Sequence, residues 1–256
     1  MNLVKAGFFS LTAGAHTDAE ERSYLEWHQL DHMPEQYQIP GLVLGQRWAS
    51  SAACNRARAA ESDELAAARH VVCYLMTEPV GRTLDDFFEL GRRLAELGRY
   101  PHPRRSLLLG AFHLLEGHAA PRTLISAEVV PFRPNRGVYL IVERPTDPGR
   151  LDGWLRWAHE ENMPELVGLR GVAGAWSYAS SPVYRRDTST PGSYRLTMCY
   201  LDDEPATVGE GLRPFLERRW RDAPVEPLLA APFETVVPWH WDRVDVGAPP
   251  ERPREA

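Results

Sequence analysis

The chain has 256 residues, 43% of them hydrophobic, and carries a formal net charge of −6 with a pI near 5.9. That is enough for one large domain or two of about 120 residues with ordinary cores. The acidic balance, with arginine pairs scattered at 104–105, 185–186 and 218–219, offers no basic stripe to a phosphate backbone and argues against nucleic acid as a partner; no stretch reaches the roughly 18 apolar residues of a membrane helix.

Residues 3–12, LVKAGFFSLT, are rich in strand formers and predict a first strand. Thr17 or Asp18 then suits a helix N-cap, with Glu20 and Glu21 in a first turn where negative charge complements the helix dipole. The helix is expected over 19–33, kinking or stopping at Pro34, which lacks an amide hydrogen and crowds the carbonyl four residues back. Pro40-Gly41 turns the chain into a second strand at 42–50, and 51–68 has no strong period and reads as a loop with room for a short helix. A strand over 70–76, a helix over 84–97 opened by Thr83 and closed by Gly98, and a strand over 106–115 complete a β-α-β-β-α-β order. Residues 119–134 read as a linker with material for an edge strand at 123–130. The order then recurs as strand 137–143, helix 150–163, strands 172–179 and 194–201, a helix over 206–220 that contains Pro214, and a last strand over 233–240. Residues 247–256 hold no core-forming side chains and read as a disordered tail.

The recurrence extends to individual residues. Trp27 matches Trp157, Met33-Pro34-Glu35 matches Met163-Pro164-Glu165, Gly41 matches Gly171, and Cys73-Tyr74-Leu75 is echoed by Cys199-Tyr200-Leu201. Matches in one order at a nearly constant offset predict two copies of one unit, 1–118 and 135–246. A β-α-β-β-α-β unit makes a four-stranded antiparallel sheet with both helices on one face, which leaves the other face bare. The expected fold is therefore α+β, two tandem ferredoxin-like repeats packed sheet to sheet. It is a pseudo-dimer within one chain, with room left for a further homodimer. Cys54, Cys73 and Cys199 form no CxxC pair and read as reduced thiols, Cys73 and Cys199 as small core residues at matching strand positions; a cytoplasmic protein is expected.

The copies differ where chemistry would reside. His28 and His32, four residues apart and so on one helix face, become Ala158 and Asn162 in the second copy. The run Trp27-His28, Asp31-His32-Met33-Pro34-Glu35 and Pro40-Gly41 resembles the WHxxxHxPE…PG signature of the EthD-like branch of the dimeric α/β-barrel (ferredoxin-like) superfamily. In the second copy only Trp157, Met163-Pro164-Glu165 and Gly171 survive. The resemblance implies a pocket between a sheet and its own helices, in a superfamily that includes cofactor-free oxygenases, polyketide cyclases, dehydratases, isomerases and heme enzymes.

Two imidazoles with ordinary pKa values of about 6.5 can divide the roles of base and acid near neutral pH, so His28 and His32 are the catalytic candidates. Tyr24, one turn earlier, Trp27, and the strand residues Arg47, His70, Tyr74 and His113 are the candidates to bind substrate. A helical HxxxH supplies two corners of a zinc site, but Gln29 stands where the metalloprotease motif has Glu and no third ligand is evident, so no metal is expected. No phosphate loop or nucleophile elbow is present. The expected activity is a small-molecule tailoring enzyme without a bound cofactor, acting on a hydrophobic aromatic or polyketide-like substrate as a cyclase, dehydratase, isomerase or cofactor-independent monooxygenase. The alternatives are a non-catalytic metabolite-binding or scaffold protein, and an oxygenase using reduced flavin or heme, the latter through His159 or His240.

Overall fold

The computed structural model describes residues 3–102 and 104–240. Strand β1 (Val4–Ala13) leads to helix α1 (Asp18–Trp27), a π-helical turn over His28–His32 and a short α2 (Met33–Gln36). Then follow β2 (Leu42–Ala49), α3 (Ala52–Arg56), β3 (Ala60–Glu61), β4 (Ala68–Thr77), α4 (Val80–Glu96) and β5 (Ser106–Ala119). After a 3-10 turn at Ala127–Phe132 come β6 (Gly137–Pro145), α5 (Pro148–Trp157), a second π turn at Ala158–Asn162 and α6 (Met163–Gly168). The chain ends its described part with β7 (Val172–Ser180), β8 (Arg195–Leu201), α7 (Pro205–Trp220) and β9 (Val225–Thr235). The tail expected at 247–256 lies outside the described residues.

The strands run in the order β2-β4-β1-β5-β7-β8-β6-β9, and β2 also pairs with β9, so the sheet closes into an eight-stranded antiparallel barrel. Strand β3 adds two residues against β9. Closure removes the sheet edges. Side-chain alternation then divides the core. Odd residues of β4 (Val71, Cys73, Leu75) point into the barrel, where they meet Trp48, Trp176, Tyr178, Met198 and Phe233 in one cluster. Even residues (Val72, Tyr74, Met76) point outward under the helices, in a second cluster with Met33 and Leu84. Strands covered on both faces read as continuous apolar runs, which is why HVVCYLM shows no alternation in sequence.

Several expectations need correction. The first helix does not end at Pro34. Because Pro34 has no amide hydrogen for the Leu30 carbonyl, the helix widens and the Met33 N–H reaches back to the His28 carbonyl; the same occurs at Ala158, ahead of Pro164. Thr83 does not open its helix. The helix opens three residues earlier, at Val80, whose N–H donates to Glu78 Oε2 (3.1 Å), and Thr83 Oγ1 instead donates to the Pro40 carbonyl (3.1 Å), tying α4 to the turn before β2. Gly41 in that turn has φ +89°, and a Cβ there would strike Thr83. The linker forms a 3-10 turn and no edge strand. The last strand is Val225–Thr235, eight residues earlier at its start than expected, because Pro227 and Pro232 disguise it; Pro227 stands beside a register shift opposite Glu143. Pro214 lies within α7 without ending it.

The Cys-Tyr-Leu echo is out of register by one. Gly45 pairs with Tyr74 and Ala175 pairs with Cys199, while Thr77 N–H to Gly41 O matches Asp202 N–H to Gly171 O. Tyr74 therefore corresponds to Cys199, and Cys73 to Met198. A one-residue slip exchanges the two faces of a strand, so Cys73 faces the barrel interior and Cys199 faces the helices, though both are buried.

Candidate active site

A cavity of about 940 Å³ lies between the first helical segment, α4 and the outward face of β1, β4 and β5. Phe8, Val72 and Tyr74 form its floor, Phe87 and Phe88 of α4 one wall, and Tyr24, Trp27, His28 and His32 the other. Gly45 makes space for the floor: a Cβ there would lie 2.9 Å from the Tyr74 ring. The π turn sets the two imidazoles side by side with ring centroids 5.2 Å apart, and Trp27 stacks on His32 at 5.0 Å and 23°. A segment from the far half of the chain completes the cavity. Arg186, Asp187 and Thr188 line it, held there by Arg186 Nη2 donating to Asp85 Oδ1 (3.0 Å) and the Gly81 carbonyl (3.2 Å), and by a two-bond exchange between Thr190 and Leu109.

The electrostatics keep both imidazoles neutral. His28 is 6% exposed, and burial together with the nearby Arg47 guanidinium holds its pKa well below the usual value. His32 is held down to about 4 by the same two causes, burial first. His28 Nδ1 and His32 Nδ1 have no hydrogen-bond partner among the described residues; Gln36 Nε2 lies 3.5 Å from His32 Nε2. The Tyr74 hydroxyl is buried without a hydrogen-bond partner among the described residues, and burial raises its pKa strongly.

Of the predicted residues, Tyr24, Trp27, His28, His32 and Tyr74 share the cavity. Arg47 and His70 do not line it; they rise beside its floor on the same face of the sheet and pack against the Tyr24 ring. Arg47 sits 4.3 Å from the Tyr24 ring centroid, and Arg104 sits 4.2 Å from the same point. His70 is fully buried and committed to Glu21, whose carboxylate also accepts the Ala15 N–H (2.7 Å). Burial opposes ionisation of Glu21, but His70 and the Ala15 amide hold its pKa down to about 2; burial and Arg47 hold His70 down to about 4. The pair is thus a carboxylate accepting from a neutral imidazole. His113 is not brought to the site: it is exposed midway along β5, 6.2 Å from the Tyr184 ring. Arg104, Gln36 and the 186–188 segment were missed from sequence. Arg104 and Arg186 carried a signal only as halves of arginine pairs, and nothing local ties either to the cavity.

The matching space in the second half is closed. Arg219 donates to both oxygens of Glu143 (2.9 and 3.0 Å), bonds Asn162 at the position of His32, and lies 4.8 Å from the Trp154 ring at the position of Tyr24. Only about 10 Å³ is left. His159 is engaged by Ser177 Oγ (3.1 Å) and Glu116 Oε2 (3.4 Å), so neither room nor a free nitrogen is present for heme there. His240 is exposed at a surface cleft. Among the described residues no three His, Cys, Asp or Glu side chains come together as a metal site, and no helix is long and apolar enough to cross a membrane.

No family model and no curated protein matches the chain. Among solved structures it is similar to an anthrone oxidase-like protein, with a TM-score of 0.52 at 11% identity over 93% of this chain and 94% of that one. It is also similar to a mutant chlorite dismutase from Candidatus Nitrospira defluvii in complex with cyanide, with a TM-score of 0.51 at 13% identity over 94% of this chain and 92% of that one. At such identities the likeness is one of fold, and the fold is the dimeric α/β barrel.

Proposed function

We propose that this chain is a small-molecule tailoring enzyme that acts on a hydrophobic aromatic or polyketide-like substrate in the first-half cavity by acid-base chemistry from His28 and His32. The observation that carries this reading is the pair of neutral imidazoles on the wall of a roomy, mostly aromatic cavity whose counterpart is plugged. A neutral imidazole can accept a proton from an activated carbon, and Arg47 stands close enough to favour the anion left behind. That carbanion can cyclise, lose water or isomerise. With dioxygen as co-substrate, an activated methylene can become a carbonyl with release of water. The anthrone oxidase-like relative supports this last outcome.

The same reading places the chain in the EthD-like branch, as two copies of one ferredoxin-like unit at 1–118 and 135–246 joined by 119–134, active in the cytoplasm without nucleic acid. The test is turnover of hydroxylated polycyclic aromatics by the parent, His28→Gln and His32→Gln. Each substitution should lower the rate by about two to four orders of magnitude. Full turnover in both variants would remove the histidines from the mechanism, and tight binding without turnover in the parent would favour a metabolite-binding protein.

A further inference from the structure

Arg47 sits beside the cavity floor, behind the Tyr24 ring, in an unusual state. It rises from β2 on the helix-covered face, paired across the ladder with Val72 of the floor, and is 2% exposed. Its Nε, Nη1 and Nη2 all lack a hydrogen-bond partner among the described residues. The other buried arginines have partners: Arg58 donates to the Ala66 and Ala68 carbonyls and leaves only its Nε unpartnered, and Arg219 donates to Glu143. A guanidinium is permanently charged and presents five donors in a fixed fork, and burying it unpaired is costly. The buried carboxylate of this region, Glu21, is already bonded to His70 and the Ala15 amide. Arg104 adds a second positive charge on the Tyr24 ring, and the neighbouring imidazoles, being neutral, cancel neither. The hydroxyl of Tyr74, whose backbone pairs with Gly45 two residues from Arg47, is a second buried donor without a partner.

We infer that the cavity selects ligands carrying an oxyanion on an aromatic body, with the charge taken by Arg47 and the Tyr74 hydroxyl as a second donor. This rests on the proposed function only in placing the ligand in this cavity. The oxyanion is a carboxylate or a phenolate or enolate formed in place as an imidazole takes the proton; the planar fork of arginine suits either. The aromatic walls supply contact area, and the missing partner for Arg47 supplies the selectivity.

Calorimetric titration at neutral pH with 2-naphthoate, 2-naphthol and 2-methylnaphthalene tests this. One or both oxygen-bearing ligands should bind on the order of ten- to a hundred-fold tighter than the methyl isostere, because a site built around a polar partner penalises the analogue that lacks it. Preference for naphthoate alone marks a carboxylate, and preference for naphthol alone a phenolate. Arg47→Met should abolish the preference while leaving 2-methylnaphthalene within about three-fold, and Arg47→Lys should keep part of it. Equal binding of all three ligands by the parent, which needs no variant, overturns the inference, as does a preference that survives in Arg47→Met. Loss of turnover in the histidine variants alongside equal ligand binding would sink the anchor alone and leave the acid-base reading intact.

Discussion

The two halves of the barrel spend a buried arginine in opposite ways. In the second half Arg219 reaches from α7 across the space above the sheet and is neutralised by Glu143, so the interior is closed and electrically quiet. In the first half α4 carries a buried Leu94 at the position of Arg219, counted from Thr83 and Val208 against Gly41 and Gly171, the space stays open, and the buried cation is Arg47 beside it, without a carboxylate partner among the described residues. With the halves taken as two copies of one unit, as proposed above, a few side chains separate a solid core from a charged hollow: His28 and His32 against Ala158 and Asn162, Tyr74 against Cys199, Gly45 against Ala175. Packing is the default, and the hollow is what must be built.

Breaking the first-half chemistry should give the largest effect, the two to four orders of magnitude in rate expected for the histidine variants, with no comparable loss from substitutions at Ala158 or Asn162. Next is a stability contrast. Arg219→Ala strands Glu143 as a buried charge and should cost about 3–5 kcal/mol in denaturant unfolding. Arg47→Met removes an unpaired cation and should melt no lower than the parent.

A third contrast is in pH. His28, His32 and His70 bind protons in the folded chain only well below 6.5, the latter two near 4. The unfolded chain takes those protons up at about 6.5. Between these values the unfolded state holds more protons, so stability present above about 6.5 is lost as pH falls toward 4. Glu21, depressed to about 2, adds a further loss on acidification below its ordinary range. Melting temperatures taken across this window should fall steeply for the parent and less for His70→Gln; equal slopes would remove these imidazoles as the cause. With His32 as the base, the acid limb of kcat/KM should likewise lie near 4 and shift part of the way toward 6.5 in Arg47→Met, because burial, the larger cause, remains when the cation is removed. The smallest effect expected is at the cross-half segment: Arg186→Ala should raise KM by several-fold with kcat little changed, read by steady-state kinetics.

Much of the site was legible because it is local. The spacing of His28 and His32, the Pro40-Gly41 turn and the recurring strand-helix order each depend on residues close in sequence, and hydrophobic periodicity reports such relations directly. What depended on distant partners was not legible. His70 and Arg47 read as ligand-facing because nothing near them in sequence reveals Glu21 or the overlying Tyr24. Cys199 read as the twin of Cys73 because identical letters outweighed a register that only cross-strand hydrogen bonds define. The last strand was misplaced because prolines tolerated beside a bulge look, in sequence, like breaks.

The segment that carries Arg186 into the first-half hollow bears on how this protein can change. The half without the proposed catalytic imidazoles supplies part of the wall around them, so selection on a ligand of this cavity would act on residues some 150 positions from the histidines. Variants with altered ligand preference should therefore surface in the chemically silent half. Separating the halves would leave the first not merely less stable but open along one side.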